Sequence, residues 1–126
     1  MKANPVGWFE IYVRDMPRAK AFYEAVFGVV LDKQEKIGPG LREMWTFPMA
    51  KDASGAAGAL ALMDGGGPEG NAVLVYFSCE DCAQEACRVA ANGGRVMKEK
   101  FAAGDYGYIA IVVDTEGNAI GLHSFK

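Results

Sequence analysis

Glu10 lies between Trp8 and Tyr12 at two-residue spacing. In an extended strand, residues two apart share a face, so this spacing presents one carboxyl group between two aromatic rings. Such a grouping marks a cavity wall rather than a solvated surface, and small-molecule sites have this make-up. The residue of matching chemistry is His123, the one histidine of the chain, two positions beyond Gly121 in the last apolar stretch. A carboxyl group and an imidazole aimed into one cavity form a candidate general acid/base pair, suited to isomerisation or to proton abstraction beside a carbonyl. The structural alternative is a buried Glu10 hydrogen-bonded to Tyr76 or His123, holding two parts of the chain together.

Two other groupings invite chemistry and have simpler readings. Cys79 and Cys82 make a Cys-x-x-Cys, with Cys87 close behind. The spacing suits a redox pair or half of a zinc site, but no second Cys pair or His cluster completes one. Reduced thiols acting as small apolar residues are expected instead. The run Gly65-Gly66-Gly67-Pro68-Glu69-Gly70 resembles a phosphate-cradling loop, yet no Lys-Ser/Thr follows it and a strand comes next, so it reads as a linker.

The elements that position these residues come in two copies. Trp8-Phe9-Glu10-Ile11-Tyr12-Val13-Arg14-Asp15 aligns 66 residues on with Leu74-Val75-Tyr76-Phe77-Ser78-Cys79-Glu80-Asp81, and without a gap Gly28 falls on Gly94. In the first copy, alternation predicts a strand over 6–13. Asp15 then caps a helix, Pro17 sits in its first turn, Ala19, Phe22, Tyr23, Val26 and Phe27 follow helical spacing, and Gly28 stops it. Strands follow over 29–33, 41–48 and 59–63. In the second, a strand over 73–78 leads to a capping box at Asp81 and Gln84, a helix ending at Asn92-Gly93-Gly94, and strands over 95–98, 108–113 and 119–125. Asp114-Thr115-Glu116-Gly117-Asn118 is the turn of the last hairpin. Tyr106 and Tyr108 are either a lid on a cavity or strand-edge aromatics, and Lys98-Glu99-Lys100 reads as solvated surface. The order is β-α-β-β-β, twice, and a fixed repeat predicts that equivalent positions of the two copies face one cavity.

The totals set the class. A chain of 126 residues, 51% hydrophobic and 23% charged, is one globular domain's worth, expected to span 1–126 with modules at 1–64 and 71–126. A net charge of −3 without a basic stripe argues against nucleic acid, and no apolar run reaches membrane-spanning length. Met1-Lys2-Ala3-Asn4-Pro5 lacks the apolar core of a signal peptide, so a cytoplasmic protein is expected.

The chain resembles the vicinal oxygen chelate superfamily, which includes glyoxalase I, extradiol dioxygenases and bleomycin-resistance proteins. The resemblance rests on Val13-Arg14-Asp15-Met16 leading into Ala21-Phe22-Tyr23-Glu24-Ala25-Val26-Phe27-Gly28, on Ala91-Asn92-Gly93-Gly94, and on Asp114-Thr115-Glu116-Gly117-Asn118. It covers nearly the whole chain and implies an α+β fold, two tandem βαβββ modules whose curved sheets surround a ligand cup, in a homodimer. In metal-using members, ligands stand seven residues before the Asp that opens each helix, seven residues after the Asp of the last turn, and on the fourth strand of the first module. The first three positions hold Trp8, Leu74 and Gly121 here, and residues 54–63, aligned with Gly121 around Gly55, are all Ser, Gly, Ala, Leu or Met. None offers a His or carboxylate, so no metal or other cofactor is expected, and the resemblance does not imply lactoylglutathione lyase activity. The chain also looks like a subgroup with Trp-Phe-Glu-Ile at the start and Gly-Leu-His-Ser at the end.

Strand parity aims Trp8, Glu10 and Tyr12, then Leu74, Tyr76 and Ser78, then Gly121 and His123 into the cup, with Trp45 or Phe47 adding a wall. The function expected is binding of a small hydrophobic or aromatic molecule in a metal-free cup. The alternative is a lyase, isomerase or dioxygenase-type enzyme working through Glu10 and His123 or through a rearranged metal site.

Overall fold

A computed structural model describes residues 4–126; the reading of the first three residues lies outside them. The fold is α+β: two helices lie against one curved eight-stranded sheet. Its strands are β1 (Val6–Val13), β2 (Asp32–Lys33), β3 (Glu43–Thr46), β4 (Ala57–Leu62), β5 (Val73–Ser78), β6 (Arg95–Ala102), β7 (Tyr108–Val113) and β8 (Ala119–Ser124). Helix α1 spans Met16–Phe27 and α2 spans Cys82–Val89. No helix among the described residues is long and apolar enough to cross a membrane.

The strand order β2-β3-β4-β1-β5-β8-β7-β6 makes the repeat visible. Each half contributes four strands, and the halves meet where β1 and β5 run antiparallel. In that ladder Trp8 pairs with Tyr76 and Glu10 with Leu74. A shift of 66 residues turns the first pair into the second, so a pseudo-two-fold axis passes through the Phe9–Val75 pair between them. The period drifts further out. The left-handed glycine ending the second helical segment is Gly93, one residue before the position aligned with Gly28. On the fourth strands, Glu10 pairs with Ala59 while its counterpart Tyr76 pairs with Gly121, which makes Gly121 the equivalent of Ala59 and not of Gly55.

The helix ends follow their capping chemistry. Asp15 accepts a hydrogen bond from the Arg18 amide at 3.1 Å, and Gly28, at φ 64°, closes α1 with its N–H on the Glu24 carbonyl. Asp81 caps α2 through the Ala83 amide at 3.1 Å rather than through a box with the Gln84 side chain. The Asp114 carboxylate accepts from the amides of Glu116 and Asn118 and tightens the last hairpin turn.

Parity sorts the side chains of the sheet. On the helix side, Val13, Met16, Leu31 and Leu60 form a core between α1 and the sheet, and Cys82, Ala86, Ala110, Val112 and Leu122 form one between α2 and the sheet. The other face carries Tyr12, Ala61, Leu74, Tyr76, Ile111 and Ala119. Phe22, Val26 and Phe27 do not turn inward as their helical spacing suggests. They are more than half exposed, because Met16, Ala19 and Tyr23 already cover the sheet beneath α1. The outer strands differ most from expectation. β2 has only two residues, whereas β6 runs four residues past 98, through the Lys98-Glu99-Lys100 cluster. Both are sheet edges, where charged residues and short or bulged strands discourage pairing with another chain.

Candidate functional site

The face of the sheet opposite the helices encloses a cup of about 750 Å³, within the range of small-molecule sites. Both halves line it. β1 supplies Trp8, Glu10 and Tyr12; β5 supplies Tyr76 and Ser78; β8 supplies His123. Most of the remaining wall is apolar: Leu41, Met44, Met63, Met97, Ile109 and Ile111. Four of the six methionines in the chain, counting Met49, are in this lining. Thioether side chains adapt their shape to what they contact.

Glu10 is 8% exposed and lies on the central strand of the cup floor. Three neutral donors hold it. Tyr12 Oη donates to Oε1 at 2.7 Å, Tyr76 Oη donates to the same oxygen at 3.1 Å, and Trp8 Nε1 donates to Oε2 at 3.1 Å. Tyr76 is the residue 66 positions from Glu10, so the two repeat-equivalent side chains meet beside the pseudo-two-fold axis. Burial, and after it the Glu10 charge, pushes both phenols far above the ordinary tyrosine range, which keeps them O–H donors. None of the ion pairs among the described residues includes Glu10. A carboxylate has about four lone-pair sites. Three are taken, and the one left is on Oε2.

His123 stands elsewhere. Its Nε2 meets the Tyr106 backbone carbonyl, which requires a proton on that nitrogen, and its ring packs edge-on to Phe125. On β5, Glu10 is opposite Leu74 and His123 opposite Ser78. Four residues of strand and two strand spacings separate them, about 13 Å in one direction and about 10 Å in the other. The cup thus contains both residues without bringing them together as a pair.

Of the other residues expected in the cup, Leu74 is wholly buried in the layer beneath the cavity, and Gly121 is roofed by Tyr76. A Cβ on Gly121 would lie 2.2 Å from the Tyr76 ring. Trp45 and Phe47 are on the wrong face for the expected wall. The register Met44–Ala61 and Trp45–Leu60 turns Met44 to the cup and Trp45 to α1, and Phe47 packs on Phe9 and Tyr23. Met44, Met97 and Phe101 were missed as lining residues; the only sequence signal for Met44 was its parity relative to β4. Tyr106 does reach the cup, its ring 6.2 Å from that of Trp8, while Tyr108 points away beneath Lys100.

The residues present do not fit the metal of metal-using relatives. Those positions hold Trp8, Leu74, Gly121 and, by the observed register, Ala59, and the Tyr76 ring fills the space over Gly121. Among the described residues, no three His, Cys, Asp or Glu converge on one point. The Cys-x-x-Cys lies on the helix side, with Cys82 fully buried on the inner face of α2. Burial, and after it the Glu85 charge, pushes the Cys79 thiol up to about 11.

Known proteins share this architecture. A family model for the Glyoxalase/Bleomycin resistance protein/Dioxygenase superfamily matches residues 6–122. The protein named "Putative glyoxylase CFP32" of Mycobacterium bovis is 32% identical over 118 residues, covering 92% of this chain and 44% of that one. The chain therefore spans less than half the length of this curated relative. Among solved structures, the hypothetical protein BH1468 of Bacillus halodurans C-125 superposes with a TM-score of 0.71 at 12% identity, over 99% of this chain and 96% of that one. Methylmalonyl-CoA epimerase of Mycobacterium tuberculosis superposes at 0.67 with 17% identity, over 95% and 87%. At such identities the likeness is one of fold. With a match that runs from the first strand into the last, on that shared fold, this chain belongs to the glyoxalase/bleomycin resistance protein/dioxygenase superfamily.

Proposed function

We propose that the protein binds a small, largely apolar molecule in its cup, against Glu10 and without a metal. The observation that carries this reading is the buried Glu10 side chain on the cup floor, held by three neutral donors, with one acceptor site unused, in the wall of an apolar cavity of about 750 Å³. A purely structural carboxylate would be more cheaply replaced by an apolar residue, since burying a charge carries a desolvation cost. The absence of a metal belongs to the proposal. A stoichiometric Zn, Ni or Fe signal in elemental analysis of the purified protein would refute that part.

An enzymatic reading, drawn from the glyoxylase and epimerase names of the relatives, finds less support. It would run through Glu10 without His123, because the imidazole is committed to the Tyr106 carbonyl at the other end of the cup.

A thermal-shift screen with small aromatic and dicarbonyl compounds tests the proposal, since a ligand that binds only the native state raises the melting temperature with concentration. Hits are expected. In Glu10→Gln they should lose roughly tenfold in affinity, the amide placing a donor where an acceptor stood. Hits whose affinity in folded Glu10→Gln is unchanged would overturn the role of Glu10.

A further inference from the structure

The charge pattern of the cup goes beyond its size and apolarity. Glu10, the acid of the floor, has no cation against it among the described residues. The other charged lining residues, Lys51, Lys98 and Asp105, are exposed at the rim, and Lys98 Nζ is already over the Phe101 ring at 4.1 Å. The floor thus holds one acidic side chain and no basic one, and the rim is mixed. Around Glu10 stand four aromatic side chains, Trp8, Tyr12, Tyr76 and Tyr106, all in the cavity wall. Aromatic faces attract organic cations, by about 0.5–2 kcal/mol per ring depending on desolvation. A buried carboxyl group that accepts only from neutral groups has no counter-charge in the protein, and a cationic ligand would supply one.

From this, and resting on the reading of the cup as a binding site, we infer that the cup takes an amphiphilic organic cation, a protonated amine or quaternary ammonium lodged between Glu10 and the Trp8 and Tyr106 rings. Its apolar body lies along Met44, Met63, Met97 and Ile111. The spare lone pair on Glu10 Oε2 accepts from an N–H of a protonated amine, and a quaternary ammonium uses the charge and the rings alone. The rim offers no fixed counter-charge of one sign, so a second charged group on the ligand is not required.

A matched series of probes tests this by calorimetric titration of the native protein: 1-naphthylmethylamine at pH 7, benzyltrimethylammonium, neutral 1-naphthalenemethanol, and anionic 1-naphthoate. The amine should bind at least tenfold tighter than the alcohol, the quaternary ion should bind, and the carboxylate should be the weakest. In Glu10→Gln, checked for native circular dichroism, the amine should fall to the affinity of the alcohol. The wild-type series is decisive even where that variant does not fold. If the alcohol or the naphthoate binds as tightly as the amine, the cation assignment is wrong while the cup reading stands. If no probe binds, or if Met97→Trp, which fills the cup, leaves amine binding unchanged, the cup reading fails and the cation assignment with it.

Discussion

At the residue scale, Glu10 determines what the cup can be. Its grouping with Trp8 and Tyr12 is legible from two-residue spacing, and the contact with Tyr76 was one of the partners open in the sequence. What the sequence did not contain is the distance from Glu10 to His123. Both residues have the right parity, but parity says nothing of position along neighbouring strands, and the β5 register puts four residues between them. The cysteines offer a test at this scale. The thiolate is the nucleophile, so at pH 8 a thiol raised to about 11 is on the order of one part in a thousand reactive. Exposed Cys87 should be alkylated first by iodoacetamide, Cys79 slowly, with a rate still climbing above pH 10, and Cys82 only on unfolding. Mass spectrometry of timed digests checks the order; early modification of Cys79 at pH 8 would contradict it. The same direction of shift has a consequence for stability. Tyr12, Tyr76 and Cys79 are all raised in the folded state. Their contribution is complete below their ordinary values and is lost as the pH rises past them, because the unfolded chain then releases protons the folded one keeps. The melting temperature should therefore fall as the pH is raised above about 10.

At the scale of elements, the strands and helices followed from alternation, capping residues and glycine stops. Where reading failed, a tertiary cause is visible. β6 continues through a charged cluster because an edge strand tolerates charge on its open side. Trp45 or Phe47 is expected to add a wall to the cup, but the pairing with β4 turns their face to α1, since a one-residue change in register exchanges the faces of a strand. The helix-side core and the cup floor make separate predictions. Leu60→Ala, at a site with no exposed surface, should cost about 2–5 kcal/mol in denaturant unfolding. Gly121→Ala should cost about 1–3 kcal/mol by pushing the Tyr76 ring, and should weaken cup ligands as well, since that ring carries a donor to Glu10. A stability loss in Gly121→Ala with full ligand affinity would separate Tyr76 from the site.

For the whole molecule, duplication explains why there is a cup and where its floor lies. Two β-α-β-β-β halves joined through β1 and β5 put a pseudo-two-fold axis at Phe9 and Val75, and the residues flanking it, Trp8 and Glu10 from one half and Leu74 and Tyr76 from the other, occupy the centre of the sheet. The gapless 66-residue period was legible because β1 and β5 keep it, and it failed by four residues at β4 and β8 because the intervening connections differ in length. Trp8 and Gly121 stand beside that axis, and the Tyr76 ring fills the space over the glycine. Ligand binding on this face of the sheet is the property on which the roles of Glu10 and Tyr76 depend. The two tryptophans allow a direct test, since Trp8 lines the cup and Trp45 packs toward α1 on the opposite face. In Trp45→Phe, emission comes from Trp8 alone. Titration with a compound that raises the melting temperature should then give a saturable change in that emission, with the affinity found by calorimetry; a compound that binds at the same affinity and leaves Trp8 emission unchanged would show that the ligand lies outside the cup.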